Sequence, residues 1–194
     1  MIEVVERFLT GLKGALRPGE RLELEVATGA AIEDINELKL KYPKIPQALI
    51  DLLINIDGTY WRQYGEKKIA VCILGSDVDE GRYPYYLMSA QQILESSQED
   101  EDVSYVLYED EDAVDLKIMP EGLLKGNYIH FADCMNNGGS SRLYIDFNPS
   151  EEGVCGQIIR FLHDPDEFKV IADSFDEYLK DLIDHGYAYL SDMD

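Results

Sequence analysis

Leu143-Tyr144-Ile145-Asp146-Phe147, then Gln157-Ile158-Ile159-Arg160-Phe161-Leu162, then Ser174-Phe175-Asp176-Glu177-Tyr178-Leu179-Lys180-Asp181-Leu182-Ile183: these three stretches decide the fold class. In the first, Leu143, Ile145 and Phe147 alternate with Tyr144 and Asp146, the two-residue period of a strand. The second is apolar and β-branched. Only Asn148-Pro149-Ser150-Glu151-Glu152-Gly153 and a few further residues separate the two, and so short a connection favours an antiparallel hairpin. In the third, Ser174 and Glu177 form an S-x-x-E capping box, and Phe175, Tyr178, Leu179, Leu182 and Ile183 make one apolar stripe. This is an amphipathic helix that must bury its stripe against the sheet.

Upstream, the strand pattern continues. Tyr128-Ile129-His130-Phe131-Ala132 and Pro84-Tyr85-Tyr86-Leu87-Met88 read as strands, the latter followed by a short helix over residues 89–94. Ile69-Ala70-Val71-Cys72-Ile73-Leu74, ended by Gly75, reads as a strand covered on both faces. Before residue 60 the period is helical. Ile2, Val5, Phe8, Leu9, Leu12 and Leu16 form a first helix stopped by Pro18-Gly19. Leu22-Glu23-Leu24-Glu25-Val26 alternates briefly, and Thr28 is placed to cap a second helix carrying Ile32, Ile35 and Leu38 on one side. Pro46 suits the first turn of a third helix, with Leu49, Leu52, Leu53 and Ile56 on one face and Asp57-Gly58 as its stop. The expected class is α+β: a mostly antiparallel sheet flanked by N-terminal helices and a closing C-terminal helix. At 194 residues with no internal repeat, residues 1–194 are expected to form one domain.

A hydrophobic share of 45% and a charged share of 29% are those of a folded chain. The charge is lopsided: 17 Lys and Arg against 39 Asp and Glu leave a net -22. Residues 1–68 are nearly neutral, so almost all of the excess lies in residues 69–194. Glu99-Asp100-Glu101-Asp102 and Glu109-Asp110-Glu111-Asp112 are its densest pieces, separated by Val103-Ser104-Tyr105-Val106-Leu107-Tyr108. Such a balance repels phosphate backbones and anionic lipid, which argues against nucleic acid and membrane as partners. There is no basic leader and no long apolar run, so a cytoplasmic location is expected. Cys72, Cys134 and Cys155 form no Cys-x-x-Cys pair and read as buried free thiols.

Three segments together resemble the SUKH superfamily in its Smi/Knr branch. They are the strand ending Asp146-Phe147-Asn148-Pro149, the strand start Gly156-Gln157-Ile158, and the helix start Ala172-Asp173-Ser174-Phe175-Asp176-Glu177-Tyr178-Leu179. Ile45-Pro46-Gln47-Ala48-Leu49-Ile50-Asp51-Leu52-Leu53-Ile54-Asn55 and Gly58 resemble a fourth, with Ile56-Asp57 intervening before the glycine. The resemblance implies a sheet flanked by helices and no catalytic apparatus. Bacterial members are similar to immunity proteins that neutralise a cognate toxin domain, often a nuclease, and fungal members are linked to cell-wall regulation. Without long polar tails, this chain looks more like the compact bacterial type. In the motif, Asp146, Pro149, Gly156, Gln157, Ser174 and Phe175 are assigned mainly structural duties: side chains that close a turn, a fixed φ, a permissive strand start and a capped helix.

Residues capable of chemistry are few. His163-Asp164-Pro165-Asp166 pairs imidazole with carboxylates but reads as a polar turn; His130 with Asp133 reads as a structural pair, and His185 as a helix-end cation. Asn136-Asn137-Gly138-Gly139-Ser140-Ser141 is Gly-rich but reads as a loop between strands, with no helix behind it to receive phosphate. No hydrolase elbow, phosphate loop, dinucleotide fingerprint or zinc motif occurs, so no catalytic residue, cofactor or metal is assigned. Tyr and Trp make low-entropy interface anchors. The residues expected to touch a protein partner are therefore Tyr60, Trp61 and Tyr86, with the acids Asp79, Glu80, Glu109, Asp110, Glu111 and Asp112. The reading is a non-enzymatic binding protein that covers a basic toxin domain, such as a nuclease, with an acidic face. Its alternatives are a carboxylate-rich metal-dependent hydrolase and a regulatory scaffold like the fungal relatives.

Overall fold

The computed structural model describes residues 2–78, 81–96, 113–121, 127–136, 139–163 and 166–190. Among them the elements run α1 (Glu3–Ala15), α2 (Pro18–Leu24), α3 (Ile32–Lys41), α4 (Gln47–Asn55), β1 (Arg62–Tyr64), β2 (Lys67–Ile69), β3 (Leu74–Val78), β4 (Gly81–Leu87), α5 (Ala90–Ser96), β5 (Tyr128–Asn136), β6 (Gly139–Asp146), β7 (Gln157–Leu162), β8 (Glu167–Ala172) and α6 (Phe175–Asp184). A 3-10 turn, Ala188–Leu190, follows. Strands β3 to β8 pair in sequence order as an antiparallel meander, and β1 and β2 form a separate hairpin. The class is α+β, with helices leading and a helix closing.

Register assigns the two faces of the sheet. Ile145 stands opposite Ile158, and Tyr144 opposite Ile159. The first pair belongs to the main core, shared with Val5, Phe8 and Leu12 of α1, Leu49, Leu52 and Leu53 of α4, and Phe175, Leu179 and Leu182 of α6. The second belongs to a smaller cluster with Ile118, Tyr128, Phe161 and Phe168. Residues 113–118 lie over this side: Val114 bridges Phe168 in parallel, and Asp115 N–H donates to Phe168 O at 2.9 Å. The alternation in Leu143–Phe147 is therefore between two interiors, which is why Tyr144 and Asp146 are buried.

Several expectations change. The Leu22–Val26 alternation is helical: Pro18 opens α2 at its first position, Arg17 N–H donates to Glu20 Oε2 at 3.0 Å, and Leu24 is buried while Leu22 is exposed. Thr28 does not cap α3, whose N-cap is Ala31. Residues 28–30 are instead stitched along the end of α4, Asp57 N–H to Thr28 O at 2.8 Å and Ala30 N–H to Leu53 O at 2.9 Å. A Cβ on Gly29 would stand 1.8 Å from Ile54 O, so this close approach needs glycine. Ile32 is exposed, one turn beyond where the core reaches Ile35 and Leu38. Pro46 is the N-cap of α4 rather than its first turn.

The run 69–74 is not one strand. Ile69 closes the β1–β2 hairpin, residues 70–73 cross between helices and sheet, and only Leu74 enters β3. Its burial, complete but for the half-buried Ala70, comes from passing through the interior, which short apolar runs do not distinguish from a covered strand. Strand β8 was not foreseen from the sequence, and the Gly-rich stretch at residues 136–141 belongs to a hairpin whose strands continue to Asn136 and from Gly139. Cys72 and Cys134 are buried, but Cys155 is exposed, contrary to the expected buried thiol.

Candidate partner-binding surface

The loop after α4 is fastened to the end of β4. Thr59 and Tyr60 N–H both donate to Leu87 O, at 2.7 and 3.1 Å, and Leu87 N–H returns a bond to Thr59 Oγ1 at 3.0 Å. Gly58 has φ +82°, and a Cβ there would meet Ser89 N at 2.4 Å, so both conformation and space require glycine. Asp57 is buried and acts as a hub: Oδ2 pairs with Arg62 Nη2 at 2.5 Å, and Oδ1 accepts from Ala90 N–H at 2.9 Å, at the start of α5. Tyr64 Oη donates to Gly58 O at 2.8 Å. Asp57-Gly58 is thus not only a helix stop; it locks the loop, the β1–β2 hairpin and α5 together.

This frame presents aromatic surface. Tyr60 and Tyr86 stand with ring centroids 5.5 Å apart and planes tilted by 40°. Both are half-buried. Burial, helped by the neighbouring Cys72 thiol, pushes the Tyr86 phenol up to about 12, and burial with the nearby Asp133 charge raises Tyr60. Trp61 is 58% exposed, and its φ of +51° lies in the left-handed region that a bulky residue occupies only at a cost. Lys68 Nζ lies 5.4 Å from its ring centroid, a cation–π contact. Trp61 therefore sits on a hairpin carrying Arg62, Lys67 and Lys68. Asp79, Glu80, Glu109, Asp110, Glu111 and Asp112 lie outside the described residues. Of the partner-contact residues named from the sequence, the structure brings together Tyr60 and Tyr86, with Trp61 next to Tyr60 in the chain but packed with Lys68.

On the same side of the sheet as Tyr86, register aligns Asp133 with Arg142. His130 is buried nearby, with Nε2 3.0 Å from Ala132 O and 3.7 Å from Asp133 Oδ2. Burial, and secondarily the Arg142 charge, hold its imidazole down at about 3, so it is neutral at ordinary pH. His163 Nδ1 lies 2.9 Å from Asp166 Oδ1 in the turn after β7, and His185 Nδ1 lies 2.9 Å from Asp181 O at the end of α6. Among the described residues no three His, Cys, Asp or Glu side chains are grouped to hold a metal ion.

The motif residues lie elsewhere; Asp146, Gln157 and Phe175 are buried, and Pro149, Gly156 and Ser174 half-buried. Asp146 Oδ1 accepts from Asn148 N–H at 2.8 Å and Oδ2 from Gln157 Nε2 at 3.0 Å; its own carbonyl accepts from Gly156 N–H at 2.6 Å. Gln157 Oε1 accepts from Val154 N–H at 3.0 Å, and its Nε2 also donates to Lys117 O at 3.0 Å. Pro149 begins the same turn, and Gly156 has φ +96°. Burial raises the Asp146 carboxyl despite these bonds. Ser174 Oγ accepts from Glu177 N–H at 3.2 Å, and Phe175 meets Phe131 edge-on with centroids 5.4 Å apart.

A meander sheet with helices on its main face and a capped closing helix define an α+β domain, which carries an exposed tryptophan on the loop before β1. The model of the SMI1 / KNR4 family (SUKH-1) matches residues 29–181, and the chain belongs to that family. Membership supports a general role in immunity or regulation, with protein partners. No curated protein matches the chain. Among the described residues no helix is long and apolar enough to cross a membrane.

Proposed function

We propose that residues 1–194 form a single SUKH-like domain, a non-enzymatic cytoplasmic immunity protein that neutralises a basic toxin domain such as a nuclease. The observation that carries the reading is the charge: net -22, concentrated in residues 69–194, in a member of this family. A nuclease must be positive where it holds nucleic acid, so an acidic inhibitor is complementary without mimicking any one substrate. Asp79, Glu80, Glu109, Asp110, Glu111 and Asp112 supply the long-range attraction. Tyr60, Trp61 and Tyr86 supply the short-range anchors, being aromatic, accessible and held on a rigid frame.

The test is co-expression with a toxin-like domain encoded beside the gene, read by growth rescue and then by binding kinetics in vitro. Rescue with formation of a complex is expected, with an association rate falling steeply as salt shortens the Debye length from about 10 Å at 0.1 M to about 3 Å at 1 M. Neutralising Glu109, Asp110, Glu111 and Asp112 together should slow association. Trp61→Ala should mainly speed dissociation, at a cost of about 2 kcal/mol or more. Absence of rescue and binding removes the toxin; binding indifferent to salt removes the acidic-face mechanism.

A further inference from the structure

The β1–β2 hairpin has two unlike faces. Register places Arg62 opposite Ile69, Gln63 opposite Lys68 and Tyr64 opposite Lys67. Directly paired residues share a face, so Arg62, Tyr64 and Ile69 turn inward, where Asp57 and Gly58 hold the first two and Ile69 is buried. Trp61, Gln63 and Lys68 are left on the outer face, all exposed, and Lys67 is exposed beside the turn. The Trp61 ring and the Lys68 ammonium, 5.4 Å apart, make one apolar and cationic epitope there. Among the described residues neither Lys67 nor Lys68 has a hydrogen bond or ion pair, whereas Arg62 is answered by Asp57. Glu66 is the hairpin's one acid. In residues 69–194 acids outnumber bases four to one, so the hairpin is a cationic island beside the aromatic pair Tyr60 and Tyr86.

We propose that this outer face takes a protein surface bearing side-chain carboxylates around an apolar recess: Trp61 enters the recess while Lys67 and Lys68 pair with its acidic rim. The inference rests on the proposed toxin-binding reading and adds that the basic toxin domain has an acidic shoulder next to its cleft. Complementary charges of both signs fix the register of docking, which one sign alone does not. A partner basic throughout is repelled by Lys67 and Lys68, so the hairpin discriminates among basic domains. The exposed ring and the left-handed backbone, φ +51°, are held at a cost, which suits a position that serves contact rather than packing. A nucleic-acid strand would meet the surrounding acids along its length. A carboxylate on a docked protein instead comes within the screening length of these two lysines alone, about 8 Å at physiological salt.

Trp61 is the chain's one tryptophan, so its emission reports on this face directly. The full chain is titrated at physiological salt with an acetylated, amidated pentapeptide alternating glutamate and leucine, with its glutamine and lysine counterparts, and with a single-stranded oligonucleotide. The glutamate peptide should shift the emission to the blue and saturate, at least fivefold more tightly than the glutamine peptide. Lys67→Gln with Lys68→Gln should remove that advantage, with circular dichroism verifying the fold. Against the toxin-like domain, Lys67→Glu with Lys68→Glu should speed dissociation at least fivefold. That variant is four charges more acidic, so by the acidic face alone it would be the better partner for a basic domain. Equal or tighter binding of it would overturn the inference and leave the proposed function standing. An emission indifferent to the glutamate peptide, or a preference for the lysine peptide or the oligonucleotide, would overturn it too. A toxin-like domain that fails to bind the wild-type chain removes the proposed function instead, and the peptide titration then decides the hairpin by itself.

Discussion

Tyr178→Phe isolates the hydroxyl that closes the free edge of the sheet. β3 is an outermost strand, and at Gly75 its outward peptide groups are answered by a single phenol: Tyr178 Oη accepts from Gly75 N–H at 3.2 Å and donates to Gly75 O at 2.7 Å. Burial raises that phenol well above its ordinary value, so it keeps its proton and its donor role at all working pH. Phe preserves the ring packing on Phe131 and Phe175 and removes only the oxygen. Two buried peptide groups then lose their partner, at roughly 1–3 kcal/mol each, giving an expected loss of about 2–6 kcal/mol. Against a total of about 5–15 kcal/mol this is severe, and at roughly 2–4 °C per kcal/mol for a chain of this length it lowers Tm by roughly 4–24 °C. Urea denaturation should show a lower midpoint with an unchanged slope. Tyr189→Phe is the internal control. Its hydroxyl makes one bond, to Ile73 O at 2.6 Å, so it should cost about half as much. A loss below about 0.5 kcal/mol for Tyr178→Phe, the range of a surface substitution, would refute the claim that this phenol closes the edge.

Leu179→Ala, in the buried stripe of α6, should cost about 2–5 kcal/mol by denaturant titration; a surface-like loss would put the stripe on the wrong side of the helix. His130 gives a pH dependence. Its folded value of about 3 lies below the unfolded value of about 6.5, so the unfolded chain binds the proton first on acidification. Stability is complete above pH 6.5 and falls toward pH 3, by up to about 1.4 kcal/mol per pH unit from this group. Asp146, raised by burial, acts in the opposite sense but is present in both proteins when wild type is compared with His130→Asn. The variant should show the flatter profile of Tm against pH between 6.5 and 4, and equal slopes would sink the assignment.

Where a segment's own periodicity decided its structure, the sequence was legible. The hairpin of β6 and β7 and the capped α6 follow from alternation and from the Ser174–Glu177 spacing, because both signals are local. What was missed depends on distant partners. Thr28 looks like a cap until Asp57 and Leu53 claim the peptide groups of residues 28–30. The run 69–74 looks like one strand because burial on both sides arises equally from a covered strand and from a chain crossing the interior. At the candidate surface, the aromatic residues were visible as residue types. Their proximity was not, since Tyr60 meets Tyr86 only through the bonds of Thr59 and Tyr60 to Leu87. The signal that was available and passed over is Asp57-Gly58-Thr59, read as a helix stop although it carries a buried hub.

The division between motif and surface bears on where recognition resides. Asp146 is 1% exposed and Gln157 fully buried, with their polar atoms engaged in the turn that joins β6 to β7. A side chain so enclosed offers a partner neither area nor a free hydrogen-bonding group, so Asp146 and Gln157 serve the scaffold. In the proposed function, recognition falls to residues the scaffold carries. Trp61 is the clearest of these, because its exposure leaves apolar surface in water and its left-handed backbone costs energy, while Asp57, Arg62 and Tyr64 hold the neighbouring chain in place. A fold that tolerates both at one position has them overdetermined by its surroundings. The same frame can therefore be kept while the loop, the hairpin and the acidic stretches change, so a shared motif need not mean a shared partner.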